Sequence, residues 1–177
     1  ALKYAHKALE TKSELVDYKT LDFNEGEWQE GVRNSYPEAL LNPENILIRP
    51  LSPLSGLDEY ALVGHEIPGL FEGTKDRRRE IFITSVPGGS AESCPPGELV
   101  WNPAIRPNVG ISTPEMYLIA AECEARVGSA DEALRLLNHL RDYRIVDNHP
   151  LVISDRTELV RAVLDERQRE FLFRGFF

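Results

Sequence analysis

From Thr113 onward the apolar positions of the chain recur with the period of a helix. Met116, Ile119, Ala120 and Cys123 stand at i, i+3, i+4 and i+7, which predicts a helix over 113–127 with that stripe inward. Thr113 is placed to cap it and Pro114 to occupy its first position, where the missing N–H costs nothing. Gly128 reads as a left-handed stop. Ser129 and Glu132 make an S-x-x-E capping box for a second helix over 129–143, with Ala130, Ala133, Leu134, Leu137 and Leu140 as its buried face. Two helices joined by a Gly-Ser turn form an antiparallel pair. A third helix, 155–173, begins at Asp155 with Glu158 three residues on, and Val160, Val163, Leu164 and Phe171 supply its apolar side. The chain end, Phe171 to Phe177, is rich in aromatics and is expected to pack against protein rather than face water.

The first half has weaker periodicity. Leu2, Ala5 and Leu9 share a helical face, so residues 1–17 read as a helix, and a short helix is expected within Trp28–Leu41. Ile46-Leu47-Ile48 reads as a short buried run, and Ile67 to Phe71 as an apolar segment before a charged stretch, Lys75 to Arg79. Glu80 to Val86 is β-branched and aromatic, as a strand would be, and Leu99-Val100-Trp101 is its candidate partner. Ten of the 12 prolines and ten of the 12 glycines lie in residues 1–110, which separates a loop-rich part from a helical one. The organisation expected is one domain over 1–177: helical at 1–41, a loop-rich insert with short strands at 42–110, and helical again at 111–177.

Composition narrows the function classes. The 177 residues amount to one domain by the usual prior of ~150 residues, and 42% hydrophobic content is enough for a core. The net charge of −9, from 20 basic and 29 acidic residues, is the wrong sign for a nucleic-acid binder. No apolar run approaches the ~20 residues of a membrane helix. Ala1 already opens an amphipathic segment, so the chain is expected to be a fragment that starts inside a structural element. The 2 cysteines are too few for a disulfide framework or metal cluster; Cys123 is expected as a buried free thiol and Cys94 as exposed.

Catalytic signatures are missing from the sequence. His6, His65, His139 and His149 lack metal-ligand spacing, and His139 reads as a surface or half-buried helix residue. No G-x-S-x-G, P-loop, G-x-G-x-x-G or H-E-x-x-H occurs. Pro87-Gly88-Gly89-Ser90 is a turn rather than a phosphate cradle, since no lysine or helix onset follows. Neither a metal nor a cofactor is expected. A glycosidase-like pair of carboxylates is defined by separation in space, which spacing along the chain does not give. Lys75–Arg79 reads as a solvated face pairing with nearby acids, with an anion or partner site as the alternative.

The pair at 113–143 follows the tetratricopeptide pattern in part. Tyr117 takes the aromatic place, Ala120 and Ala121 the Leu-Gly places, and Ala133 with Leu137 the later Ala and Phe places. Glu124 stands where an aromatic is usual, there is no closing proline, and no second copy follows at a ~34-residue offset.

A wider set of segments resembles the SusD/RagB family. Pro114 to Glu122, with its Tyr-Leu-Ile-Ala-Ala-Glu core, is similar to one helix of that family. Ala130–Arg144 is similar to the next, and Leu164–Gly175, with its Glu-Arg…Glu-Phe…Gly pattern, to the following one. Asn42 to Leu47 resembles its Pro-Glu-x-Ile segment, and Lys75 to Arg78 its Asp-x-Arg segment. The five matches stand in the family's order and span most of the chain. The resemblance implies a mainly α protein: a tetratricopeptide-like helical-repeat scaffold with irregular loops and a small β-hairpin-like insert. It implies a non-catalytic glycan- or nutrient-binding lipoprotein at the outer membrane and cell surface of Bacteroidetes-type bacteria. Its partners would be an oligosaccharide or other nutrient and a SusC-like TonB-dependent transporter. The lipid anchor would be the only link to the membrane and is not in this chain. The resemblance also offers an arginine in Lys75–Arg79 that ties the scaffold together by bidentate hydrogen bonds.

Sugar binding calls for an exposed aromatic face beside polar groups. The candidates are Trp101, next to Asn102 and Pro103, then Tyr60 and Trp28; for Trp101, core packing at a strand end is the competing reading. Two other classes compete with the capture protein. A tetratricopeptide-like adaptor for proteins would show several repeats in register, and a two-carboxylate hydrolase would carry a catalytic signature.

Overall fold

A computed structural model describes residues 1–21, 36–49, 62–71, 75–85, 98–102, 105, 108–172 and 174. The elements in chain order are α1 (Leu2–Thr11), α2 (Arg77–Phe82), β1 (Ile83–Ser85), β2 (Leu99–Trp101), α3 (Thr113–Val127), α4 (Ala130–Asp142) and α5 (Arg156–Glu170). The protein is mainly helical, with one two-stranded sheet among the described residues, as the sequence predicts.

The helices α1, α3, α4 and α5 pack around one apolar cluster that includes Ala5, Leu118, Ala121, Ala133, Leu137, Leu159 and Val163. Ala120, Ala121, Ala125 and Ala133 are fully shielded, and their small side chains let α3 and α4 approach closely. The buried stripe of α3 is Tyr117, Leu118, Ala120, Ala121 and Ala125, so the expected stripe is rotated: only Ala120 is fully inside, and Met116, Ile119 and Cys123 lie at its partly buried margin. Cys123 is a free thiol there rather than a core residue. On α4 the apolar buried side chains are Ala133, Leu136, Leu137 and Leu140, while Ala130 and Leu134 flank them.

Helix ends follow local chemistry, with some corrections. Ser112, not Thr113, is the N-cap of α3, and Pro114 is its second residue. Gly128 is not left-handed: its φ is −113 and its ψ −138, outside both the helical and the extended regions. A Cβ there would lie 1.9 Å from Glu124 Oε2, because that carboxylate folds over the turn and accepts the Ser129 amide at 2.8 Å. Ser129 Oγ accepts the Glu132 amide, and Asp155 accepts the Glu158 amide, as expected. Arg156, the first residue of α5, donates to the end carbonyls of α3 at Ala125 (2.8 Å) and Gly128 (3.0 Å). On α5, Leu159 and Val163 are buried and Leu164 is exposed.

The first helix stops at Thr11 rather than near residue 17. Beyond it the backbone is claimed by tertiary partners: Ser13 O accepts Tyr117 Oη, Val16 N donates to Glu44, and Val16 O accepts Arg144. Of the short helix expected in Trp28–Leu41, residues 28–35 lie outside the described residues. Residues 36–41 end in a turn in which the amides of Leu41 and Asn42 both reach Glu38 O. Ile46, Leu47 and Ile48 are exposed, not buried, because this segment is held through its backbone: the amides of Ile46 and Leu47 donate to Ile111 O, and Leu47 O accepts Asn108.

The strand expected over Glu80–Val86 begins only at Ile83, since Asp76 caps α2 through residue 82. β1 and β2 pair antiparallel, with Ile83 opposite Trp101 and Ser85 opposite Leu99. Beneath them a second cluster gathers Tyr18, Leu21, Val63, Phe71, Ile81, Phe82, Trp101, Ile105 and Leu172. Phe171 and Leu172 are buried, so this part of the aromatic chain end packs inward.

Candidate functional site

The most unusual chemistry in the described residues is a set of charged side chains shut away from water. Arg78, Asp76, Glu166, Arg144 and Glu170 have fully buried side chains. They come from separate elements that helical spacing aligns. Glu166 and Glu170 stand one turn apart on α5. Arg141 lies in the last turn of α4 and Arg144 in the turn just beyond it. Asp76 accepts the Arg78 amide as the cap of α2 and grips the same residue's guanidinium twice, at 2.9 Å (Nε to Oδ1) and 2.7 Å (Nη2 to Oδ2). Arg78 Nη1 reaches Glu166 at 2.7 Å and Glu170 at 3.0 Å. Glu166 also meets Arg141 at 2.9 Å and Arg169 at 3.0 Å.

Arg144 is the second hub. It donates to Glu170 at 2.9 Å, to Glu44 at 2.7 Å and to Val16 O at 2.8 Å, and its guanidinium lies 3.9 Å from the Tyr18 ring centroid. The chain around Arg144 is stitched to α2 as well: Arg77 N donates to Arg144 O, and Val146 N to Lys75 O.

Burial of this kind shifts the acids in opposite directions. Burial alone would raise the Glu170 carboxyl, but Arg144 and Arg78 outweigh it and bring it down to about 2. Glu166 is likewise lowered, with burial opposed by Arg78, Arg141 and Arg169. For Glu44 burial prevails over Arg144, and the neighbouring Glu170 adds to the rise. Arg78 and Arg144 are held firmly protonated: burial disfavours their charge, and the surrounding carboxylates more than offset it.

The network offers no face to a ligand. It clamps the loop-bearing part, through Glu44 and α2, onto α4 and α5. Lys75–Arg79 is therefore not simply a solvated face: Arg78 is a buried tie, the role the family resemblance had offered for an arginine here. Sequence reading missed Glu44, Glu166, Glu170, Arg141 and Arg144 as interior residues. Their four- and three-residue spacing was the available signal, but it is also the spacing of a solvated helix face.

Trp101 is 8% exposed, its ring stacks on Phe82 at a centroid distance of 5.0 Å, and its Nε1–H donates to Ile105 O at 2.7 Å. In this geometry it is a core residue at a strand end and presents no open ring face. Asn102 continues the pairing, donating through Nδ2 to Ile81 O. Tyr60 and Trp28 lie outside the described residues, as do Cys94 and Pro87–Ser90. Among the described residues no group of three His, Cys, Asp or Glu side chains could hold a metal, and no helix is long and apolar enough to cross a membrane.

The class defined by the described residues is a tetratricopeptide-like helical scaffold, α3–α4 flanked by α1 and α5, with a two-stranded sheet. Residues 113–176 match the SusD family model. The whole fold matches a SusD-like carbohydrate binding protein from Bacteroides vulgatus, with TM-score 0.68 and 22% identity over 99% of this chain and 39% of that one. It also matches a SusD-like protein from Bacteroides fragilis, with TM-score 0.64 and 17% identity over 98% of this chain and 48% of that one. A third match is a SusD superfamily protein from Parabacteroides distasonis, with TM-score 0.59 and 13% identity over 98% of this chain and 44% of that one. No curated protein matches significantly. The chain thus has the fold of these SusD-like structures and spans 39% to 48% of their length.

Proposed function

We propose that this chain is the scaffold-bearing part of a non-catalytic glycan- or nutrient-binding component of an outer-membrane uptake system. In the full-length protein a lipid anchor would hold it at the cell surface, beside a SusC-like TonB-dependent transporter that receives the ligand. The observation that carries this reading is the SusD family match over 113–176, on the helices that clamp the loop-bearing part. The Bacteroides vulgatus structure described as carbohydrate binding, which has the same fold, agrees with it.

The mechanism is reversible capture. A rigid set of helices, fixed to the insert by buried ion pairs, presents ligand-facing loops, and loops on a rigid scaffold are where binding usually sits. Tyr60 and Trp28 remain candidate sugar-stacking residues, while Trp101 supports the sheet from below. Isothermal titration of the chain with a panel of oligosaccharides tests the reading. Saturable binding weakened by Tyr60→Ala or Trp28→Ala supports both the function and those sites. A folded sample that binds no saccharide overturns it and moves the weight to a tetratricopeptide-like adaptor for proteins.

A further inference from the structure

One feature at the edge of the helical scaffold has no role in the ion-pair clamp. Tyr117 of α3, His139 of α4 and Tyr143 just beyond α4 form a continuous aromatic row, with successive ring centroids 5.2 Å apart in both steps. Tyr117 is buried and anchored, its hydroxyl donating to Ser13 O. His139 and Tyr143 are only partly buried. Among the described residues, neither the Tyr143 hydroxyl nor the His139 ring nitrogens have a hydrogen-bond partner. The outer end of the row therefore combines apolar ring surface with unused donors and acceptors.

The one cation beside the row in these contacts is matched, and a carboxylate next to it keeps its charge. Arg135, one turn before His139, is held by two bonds of 2.7 Å to Glu132. Asp142 receives the Asn148 side-chain amide at 2.6 Å, a neutral donor that leaves its negative charge in place. Burial and Arg135 lower the His139 imidazole below its ordinary value, so it is neutral at pH 7, with one nitrogen donating and one accepting. A surface with this negative bias, from the Asp142 carboxylate, disfavours an acidic ligand. It suits a ring with one apolar C–H face and a rim of hydroxyls.

We infer that His139 and Tyr143, backed by Tyr117, form a stacking subsite for a neutral pyranose residue, on the helical scaffold rather than in the loops. This rests on the glycan-binding reading above and extends it to a place and a ligand class. The C–H face of the sugar lies against the Tyr143 ring, and its hydroxyls bond to the Tyr143 hydroxyl and the free His139 nitrogen.

The test is titration of the 177-residue chain with neutral hexasaccharides of glucose, xylose and mannose, and with oligogalacturonate as an acidic counterpart, alongside aromatic NMR of His139. Tyr143→Leu removes the stacking face while keeping apolar bulk, and Tyr143→Phe keeps the face. The inference expects about a tenfold loss of neutral-oligosaccharide affinity in Tyr143→Leu, near retention in Tyr143→Phe, and a shift of the His139 ring resonances on binding. Unchanged binding by a folded Tyr143→Leu, with His139 unmoved, overturns the subsite and leaves the glycan-binding function standing. Binding restricted to oligogalacturonate overturns the neutral-ring assignment. Failure of the unsubstituted chain to bind any saccharide overturns the function and the subsite together.

Discussion

Arg144 Nη2 lies 2.9 Å from Glu170 Oε1, and neither side chain has any contact with water. One residue closes the turn after α4 and the other ends α5. Their pair, shared with Glu44 and adjoining Arg78, joins the helices to the loop-bearing part. A buried ion pair contributes little net stability compared with a well-packed apolar pair, but removal of one partner leaves a charge stranded in a low dielectric.

Arg144→Met should therefore destabilise the fold by ~3–5 kcal/mol, because Glu170 and Glu44 lose their common cation. Chemical denaturation monitored by circular dichroism measures it. A cost near zero would show that water or another arginine takes over the site.

Acid should unfold the protein through the same group. Glu170 is held down to about 2, against ~4.3 for an unfolded glutamate. A depressed folded value means that its stabilisation is complete above the unfolded value and is lost as pH falls toward about 2. Glu166 is shifted the same way and adds to this loss. Glu44 is shifted upward, so its contribution has the opposite sign and is present at low pH and lost as pH rises through its folded value. Thermal midpoints recorded from pH 7 down to pH 2 should fall along the acid limb, and Glu170→Gln should flatten that limb while lowering the plateau.

Trp101→Phe and Trp101→Ala separate two contributions to the sheet end. The first keeps a ring on Phe82 but loses the N–H bond to Ile105 O and should cost ~1 kcal/mol. The second opens a cavity and should cost ~3–5 kcal/mol. Equal midpoints for both variants would contradict the stacked geometry.

Leu137 is fully buried between α4 and its neighbours, and Leu137→Ala should cost ~2–5 kcal/mol. Leu164→Ala, on the exposed side of α5, should move the midpoint by less than ~1 kcal/mol. A reversal of this order would mean the register of α4 or α5 is wrong.

Gly110 is held against the 46–49 segment so closely that an added Cβ would stand 1.8 Å from Leu47 O. Gly110→Ala should therefore push the Asn108-centred turn away from that segment and cost ~1–3 kcal/mol, read as a lower midpoint together with faster amide exchange at Arg49, which donates to Asn108 Oδ1.

The sequence by itself determined the three C-terminal helices, the Ser129 and Asp155 caps and the pairing of the two strands. It also pointed to the SusD-like class, because those features depend on local periodicity, cap chemistry and ordered motifs. The tertiary structure alone decided which charged residues are inside. Glu166 and Glu170 look like a solvated stripe until α2 brings Arg78, and α4 brings Arg144, to within hydrogen-bonding distance. It likewise ended α1 at Thr11, where Tyr117, Glu44 and Arg144 take the following backbone groups, and it placed Trp101 beneath the sheet. A side chain's local pattern states what it could bury, and only the partners that arrive from distant segments determine whether burying a charge or an indole costs more than it returns.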